Sequence, residues 1–578
     1  MKKLLKKETL NTKLMEKYYP DLHSKLNYPN KMIYEYFFDT ATNHPNYIAY
    51  EYFGREVTYQ KFVQQIAECA KALKGIGTTA NEVITICTPN MPEAIIMFYA
   101  INMVGAIANI IHPLSSENEI LEYLNISNST KILTIDITVS KIVNILKETK
   151  LSDIIVCSPS ENMKFDRKFL YWLSKGRKMH LPECDLITTW SEFISKGYDY
   201  HDEYIIKRDK NDPAVILYSG GSSGSPKGIL LSNLNFNALA MQAKEIVMPK
   251  PKEVILCIMP IFHGFGLGVC LHATLCDGMK CVLIPAFNYK KFKKLLRKYR
   301  PNFLVGVPTL FEGLLSSKFK EGELSYITNI ISGGDTLSPD LKRRIDAFLK
   351  KYGSNAKIRV GYGLTECTAA TCLTIPNELR EGCIGIPFPD MQCKIVKIGT
   401  HDEVEPNVNG EICFSGPTVM IGYVNNEKET MQTKRTHDDG ITWLHTGDIG
   451  YKDEEGMVYF RQRLKRMIIS SGYNIYPSHI ESIIDQHPAV NFSTVIGIDH
   501  PYKVQVAKAF IVLNDGFKPN NDTLESIKRH CEKNIAKYSL PYEYEFRETI
   551  PKTKIGKIAF NELEEEEKRK HFNDSKDK

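Results

Sequence analysis

Between residues 82 and 352 the chain repeatedly sets a short apolar run in front of a longer helix-like segment. Residues 82–87 precede 91–104, and 254–259 precede a glycine-rich helix start. Residues 280–284 precede 289–299, and 327–331 precede 339–352. Short apolar runs read as buried strands and the longer segments as helices. Their alternation predicts parallel sheets covered by helices, an α/β class. From about residue 382 the rhythm changes to short strands with turns, at 410–414 and 457–460, which predicts a small β-rich subdomain. A boundary is expected near Arg463-Leu464-Lys465-Arg466, followed by a helix over 479–486 and strands over 493–498 and 507–513. The tail beyond Asn561, with Glu564 to Glu567 and then Lys568-Arg569-Lys570, reads as a solvated helix end that frays.

One loop carries a chemical signal. Residues 214–217 predict a strand and 235–247 a helix. Between them lies Tyr218-Ser219-Gly220-Gly221-Ser222-Ser223-Gly224-Ser225-Pro226-Lys227-Gly228. Glycines let backbone N–H groups close around phosphate oxygens, while hydroxyls and a cation add donors. The loop is not a Walker A motif, because Pro226 precedes the lysine and Gly228 follows it. Composition alone would also suit a flexible linker. The strand before the loop and its Pro-Lys-Gly ending favour a polyphosphate cradle.

Composition excludes other classes. A net charge of +6 over 578 residues gives no support for nucleic-acid binding. The fourteen cysteines form no C-x-x-C pair, which argues against zinc and thioredoxin-like sites and for a reducing compartment. Met1-Lys2-Lys3-Leu4-Leu5-Lys6-Lys7 is basic without an apolar signal core. The longest apolar stretch, 94–111, is interrupted by Asn102 and Asn109 and reads as buried structure. A cytoplasmic protein is the expectation. Segment 164–180 mixes Lys and Arg with Phe165, Phe169, Leu170, Tyr171, Trp172 and Leu173, a composition able to contact an anionic membrane peripherally. A solvated surface insertion is the alternative.

Three further motifs follow the loop in order: Gly361-Tyr362-Gly363-Leu364-Thr365-Glu366, His445-Thr446-Gly447-Asp448, and Pro551-Lys552-Thr553-Lys554-Ile555-Gly556-Lys557. With the loop they resemble the adenylate-forming superfamily, of acyl-CoA synthetases, adenylation domains and luciferases, over residues 33–557. The resemblance implies a large N-terminal domain, 1–464, of two parallel-rich sheets plus the β-rich subdomain. It also implies a small mobile α+β domain, 465–578, swinging about Lys465. Oligomeric state is left open.

The implied chemistry is attack of a carboxylate on the α-phosphate of ATP, giving acyl-AMP and pyrophosphate, then transfer to coenzyme A. By resemblance, Ser219, Gly221, Ser222, Ser223, Gly224 and Lys227 bind the nucleotide, with Ser222 to Gly224 and Lys227 on the departing phosphates. Lys557 reaches the α-phosphate and the carboxylate, and Thr365 donates to the α-phosphate. Glu366 binds Mg²⁺, a hard cation suited to carboxylate and phosphate oxygens. Gly361, Tyr362 and Gly363, with Gly333, Gly334 and Asp335, border the adenine. Asp448 and Arg463 approach the ribose, and Gly472 lines the tunnel for the thiol of coenzyme A. Gly220 stands where the family usually has Ser or Thr, and Gln462 where many members have Asp or Gly.

Pro260-Ile261-Phe262-His263-Gly264-Phe265-Gly266 matches the segment bordering the acyl pocket. Amino-acid-activating members carry an aspartate there to pair with a buried ammonium. Its absence disfavours an α-amino acid. His263 is expected to close the pocket behind the carboxylate, with a plain core histidine as the alternative. Glycines 264, 266 and 268 read as room for a hydrophobic, fatty chain, walled by Val305, Gly306, Leu310 and Ala369. Two alternatives stay open: loading of a carrier-protein phosphopantetheine, and a catalytically inactive nucleotide-binding relative.

Overall fold

The computed structural model describes residues 17–19, 25–164, 181–219, 226–378, 380–470, 473–475, 477–500, 504–535, 539–553 and 558–576. They group into two units. One holds Met1–Cys393, Phe414–Leu444 and Glu455–Met457; the other holds Lys394–Cys413, His445–Glu454 and Val458–Lys578.

In the first unit, one sheet runs in the order Cys383–Pro387, Cys372–Leu373, Ile358–Tyr362, Asn329–Gly333, Phe303–Gly306, Val254–Cys257, Lys280–Leu283, Ile48–Tyr52 and Arg55–Thr58. Its central strands pair in parallel. A second sheet runs Gly422–Tyr423, Lys227–Ser232, Pro213–Ser219, Ile107–Ile110, Val83–Cys87, Lys131–Ile135, Asp153–Cys157 and Ile187–Thr189. It is parallel from Pro213–Ser219 onward. The parallel strands are β-branched and buried on both faces, as sheets covered by helices require. Helix Pro92–Met103 starts on a proline at its first turn and is buried all round. This accounts for the apolar stretch near residue 100. Among the described residues no helix is long and apolar enough to cross a membrane. Of the fourteen cysteines all but Cys184 are buried.

Two expectations in this unit change. The Gly/Ser loop does not lead straight into a helix. Strand Lys227–Ser232 intervenes and pairs antiparallel with Pro213–Ser219, Ser219 opposite Lys227, so the loop joins two strands of a hairpin. Helix Asn233–Val247 begins only after Ser232 caps it, its Oγ accepting from Asn235 N at 3.2 Å. The glycine-rich helix Phe265–Ala273 is π-helical, a form frequent at functional sites.

In the second unit, strands Tyr473–Ile475, Ile468–Ser470, Val504–Leu513 and Val490–His500 lie in that order, with Glu543–Phe546 also on Val504–Leu513. Side chains alternate across a strand. Ala507, Ala509 and Ile511 therefore enter one core, with Ile480, Ile484 and Ile527 of the helices Pro477–Ile484 and Asn521–Asn534. Val506 and Phe510 enter another, with Ile496, Ile550 and Leu563.

Leu563 corrects the reading of the tail as a solvated, fraying end. Phe560–Lys576 is a helix with Leu563 fully buried and Glu567 only 3% exposed. Lys508, on the same strand face as Val506 and Phe510, meets Glu567 at 2.7 Å and Glu543 and Glu545 at 3.1 Å each.

Candidate active site

The motifs of the first unit sit where its parallel strands end, the place where open α/β sheets bind ligands. Strands Asn329–Gly333 and Ile358–Tyr362 run side by side, Gly333 opposite Gly361. A Cβ on Gly333 would lie 3.2 Å from the Gly361 carbonyl oxygen and 3.2 Å from the Phe265 ring. Gly334, at φ 81°, and Asp335 are exposed beyond the strand end. A Cβ on Gly363 would lie 1.6 Å from the Ala369 carbonyl oxygen, so only glycine fits there.

After Gly363 the chain makes the single turn Thr365–Cys367. Thr365 is buried and Glu366 half-buried. Thr368 follows at φ 68°, an unusual backbone for a β-branched residue, worth about 1–3 kcal/mol of strain. Its Oγ1 donates to the Thr418 carbonyl at 2.8 Å, and the Met420 N–H donates to the Glu366 carbonyl at 2.8 Å. The turn is thus fixed against segment 418–423.

Glu366 Oε1 accepts from Ser219 Oγ at 3.2 Å and from the Tyr423 hydroxyl at 3.0 Å. Beside it, Lys227 Nζ is paired with Glu429 and lies 5.2 Å from the Tyr423 ring centre. Burial, reinforced by the Glu366 charge, raises the Tyr423 phenol well above its ordinary range, so it stays a neutral donor. A carboxylate and an ammonium therefore stand in one partly open place, each satisfied by a neighbour that a ligand could replace. Tyr423 and Glu429 are the residues that the motifs missed. Each is distant in sequence from the loop and lies in no phosphate-binding pattern.

The Tyr362 ring lies 5.9 Å from that of Phe414, tilted 34°, and the residue is half-buried. His263 is half-buried, its Nδ1 accepting from the Phe265 N–H at 3.2 Å. The glycines near it correct an expectation. A Cβ on Gly264 would lie 1.9 Å from the Thr368 carbonyl oxygen, on Gly266 2.1 Å from that of Pro260, and on Gly268 2.7 Å from Leu239. Gly264 and Gly266 permit close backbone approach and Gly268 the approach of the Leu239 side chain, so the space that a Cβ would fill at each is already taken. Gly306 behaves alike against Leu310, at 2.2 Å. Val305, Leu310 and Ala369 are buried.

In the second unit Asp448 stands opposite Arg463 across strands Thr442–Lys452 and Val458–Arg463. Arg463 Nε is 2.9 Å from Asp448 Oδ1, and the carboxylate is buried while the arginine is more than half exposed. Gln462 is buried and accepts from Ser478 Oγ at 3.3 Å. Lys465 lies on the single turn Leu464–Arg466. Gly221, Ser222, Ser223, Gly224, Gly472 and Lys557, and segment 165–180, lie outside the described residues.

Residues 37–424 match the family described as AMP-binding enzyme, and residues 479–557 match the AMP-binding enzyme C-terminal domain. The chain is similar to the long-chain-fatty-acid–CoA ligase of Bacillus subtilis (strain 168), at 31% identity over 96% of this chain and 98% of that one. It is also similar to 4-coumarate–CoA ligase 2 of Petroselinum crispum, at 27% over 88% and 89%. Its fold matches that of ATP-bound MatB from Rhodopseudomonas palustris, with a TM-score of 0.80 at 23% identity, over 93% of this chain and 99% of that one. The chain belongs to the AMP-binding enzyme family, the adenylate-forming superfamily, within its acyl-CoA synthetase branch.

Proposed function

We propose that the protein uses ATP to convert a hydrophobic carboxylic acid, a fatty acid in first place, to acyl-AMP and pyrophosphate, and then transfers the acyl group to coenzyme A. The observation that carries this is the meeting of Glu366, Ser219, Tyr423, Lys227 and Glu429 at the strand ends. Lys227 is held by a carboxylate where a phosphate oxygen of ATP would take its place. Ser219 and the loop after it add donors to the departing phosphates. Catalysis of this kind is positioning plus electrostatic stabilisation of charge at the transferring phosphate.

Glu366 suits Mg²⁺, since its carboxylate is half-buried, with only hydroxyl donors on Oε1. The ion, held by Glu366 and phosphate oxygens, would neutralise charge on the polyphosphate. Thr365 and Lys557 are assigned to the α-phosphate, with Lys557 also holding the substrate carboxylate. Tyr362 and the Gly333-Gly334-Asp335 turn are assigned to the adenine, and Asp448 and Arg463 to the ribose. Lys465 is the proposed hinge between 1–464 and 465–578, bringing the Gly472 turn to the thiol. The acid is proposed as hydrophobic because segment 260–266 carries no carboxylate for an ammonium and Val305, Leu310 and Ala369 are apolar and buried. The similarity to ligases of fatty and coumaric acids agrees with that class.

The test is pyrophosphate release over a panel of fatty, aromatic, short dicarboxylic and amino acids, with Mg²⁺, followed by acyl transfer to coenzyme A or to a phosphopantetheinyl carrier protein. Release with hydrophobic acids and thioester on coenzyme A is expected. Release only with amino acids would overturn the substrate class, and thioester on the carrier protein alone would overturn the acceptor.

A further inference from the structure

We propose that Glu411 is the positioning residue for Asp448, holding the strand segment around Gly447 that presents the Asp448 carboxylate. Gly447 lies within the strand Thr442–Lys452 at φ 68°, and among the described residues no atom would contact a Cβ there within 4 Å, so the backbone angle alone selects glycine. The N–H of such a residue still needs an acceptor. Glu411 Oε1 accepts it at 3.0 Å. The second oxygen, Oε2, accepts from His445 Nδ1 at 2.8 Å. Against an ionised carboxylate that nitrogen is the donor, which fixes the ring two residues before Gly447.

The neighbouring residue of the same strand completes the clamp. Thr446 Oγ1 donates to the Ile412 carbonyl at 2.6 Å and accepts from the Asp448 N–H at 3.1 Å. Glu411, His445, Thr446 and Asp448 are each less than a tenth exposed. Water therefore cannot replace a lost partner cheaply. Both oxygens of one buried carboxylate accept from the backbone and side chain just before Asp448. A glutamate needed only for packing would not satisfy a left-handed glycine amide and orient a histidine at once. The proposal rests on the assignment of Asp448 to the ribose.

The experiment measures kcat and KM for ATP and for 3′-deoxy-ATP in the full chain, with Glu411→Ala, Glu411→Gln, Asp448→Ala and the Glu411→Ala/Asp448→Ala pair. Glu411→Ala is expected to raise the ATP KM roughly ten- to a hundredfold, the effect of losing a charge-assisted hydrogen bond. The preference for ATP over the deoxy analogue should fall to the Asp448→Ala value, and the double variant should be no worse than Asp448→Ala. Glu411→Gln, whose amide oxygen still accepts from Gly447, should restore most of the preference. Should Glu411→Ala fail to fold, Glu411→Asp, which reaches one partner only, must lose preference while the chain stays folded. Full preference in Glu411→Ala or Glu411→Asp, with loss in Asp448→Ala, overturns the proposal alone. Full preference in Asp448→Ala overturns the ribose assignment and the proposal with it.

Discussion

Replacing Lys508 by methionine isolates what fastens the C-terminal helix. Lys508 is buried, on the strand face shared with Val506 and Phe510, and is the common partner of Glu567, Glu543 and Glu545. Removing one member of a buried ion pair costs about 3–5 kcal/mol, because the remaining charge loses its compensation. Here the lower end applies. Glu567 keeps Lys570 at 2.7 Å, and Glu545 keeps Lys570 and Arg547. About 3 kcal/mol is roughly a hundredfold in a local opening equilibrium. Amide exchange of peptides from Val504–Leu513 and Phe560–Lys576 in the full chain should therefore speed up by about that factor. Adding Glu567→Leu should recover most of it, since paired replacement by apolar groups is close to neutral. The effect should also fade in acid. Burial raises the Glu545 and Glu567 carboxyls, but hydrogen bonds from Lys508 and Lys570 outweigh it, holding Glu545 at about 2 and Glu567 below its ordinary value of 4.5. The folded values are depressed, so this stability is present above 4.5 and is lost as pH falls from there towards about 2. Exchange changed less than threefold by Lys508→Met, or a double variant worse than either single one, would refute the reasoning.

Other outcomes follow from the first unit. Glu429→Gln frees Lys227 and should lower the ATP KM about two- to fivefold, the worth of a partly exposed pair; a raised KM would show that Glu429 helps to bind the nucleotide. Gly266→Ala should lower the melting temperature sharply, because its Cβ would lie 2.1 Å from the Pro260 carbonyl oxygen. An unchanged melting temperature with a shift towards shorter acids would instead make Gly266 part of the pocket. Burial pushes the Glu93 carboxyl up to about 8; its Oε1 accepts from Asn162 at 2.5 Å, and among the described residues Oε2 has no partner. The folded protein therefore holds that proton more tightly, and stability should fall as pH rises from 4.5 to about 8, by up to about 1.4 kcal/mol per pH unit. Glu93→Gln should flatten this fall, and equal slopes in urea titrations of both proteins would count against it.

The parallel sheets and the local motifs were legible in the sequence because their signals are local. Apolar runs before helices marked the strands, and Glu366 and Asp448 each sit in a short glycine-containing pattern. The partners of those residues were not legible. Tyr423 and Glu429 reach Glu366 and Lys227 from 57 and 202 residues away, and such pairings depend on sheet order. Glycines 264, 266 and 268 were read as empty space, whereas glycine serves equally where a neighbouring backbone or side chain comes close. Strand Lys227–Ser232 was hidden because its apolar stretch, Ile229-Leu230-Leu231, is too short to separate from the helix after it. The acidic tail looked solvated because charge run and burial are independent. Phe560, Leu563 and Glu567 share one helix face, and that face meets Lys508.

The claim that the acid is activated as an adenylate is tested most directly by isotope transfer. A hydrophobic acid labelled with heavy oxygen in its carboxylate is turned over with ATP, Mg²⁺ and coenzyme A, and the nucleotide product is analysed by mass spectrometry. Attack on the α-phosphate followed by thiolysis leaves one carboxylate oxygen on AMP, so AMP carrying a single heavy oxygen is the predicted result. Label in inorganic phosphate, with ADP as the nucleotide, would contradict the account.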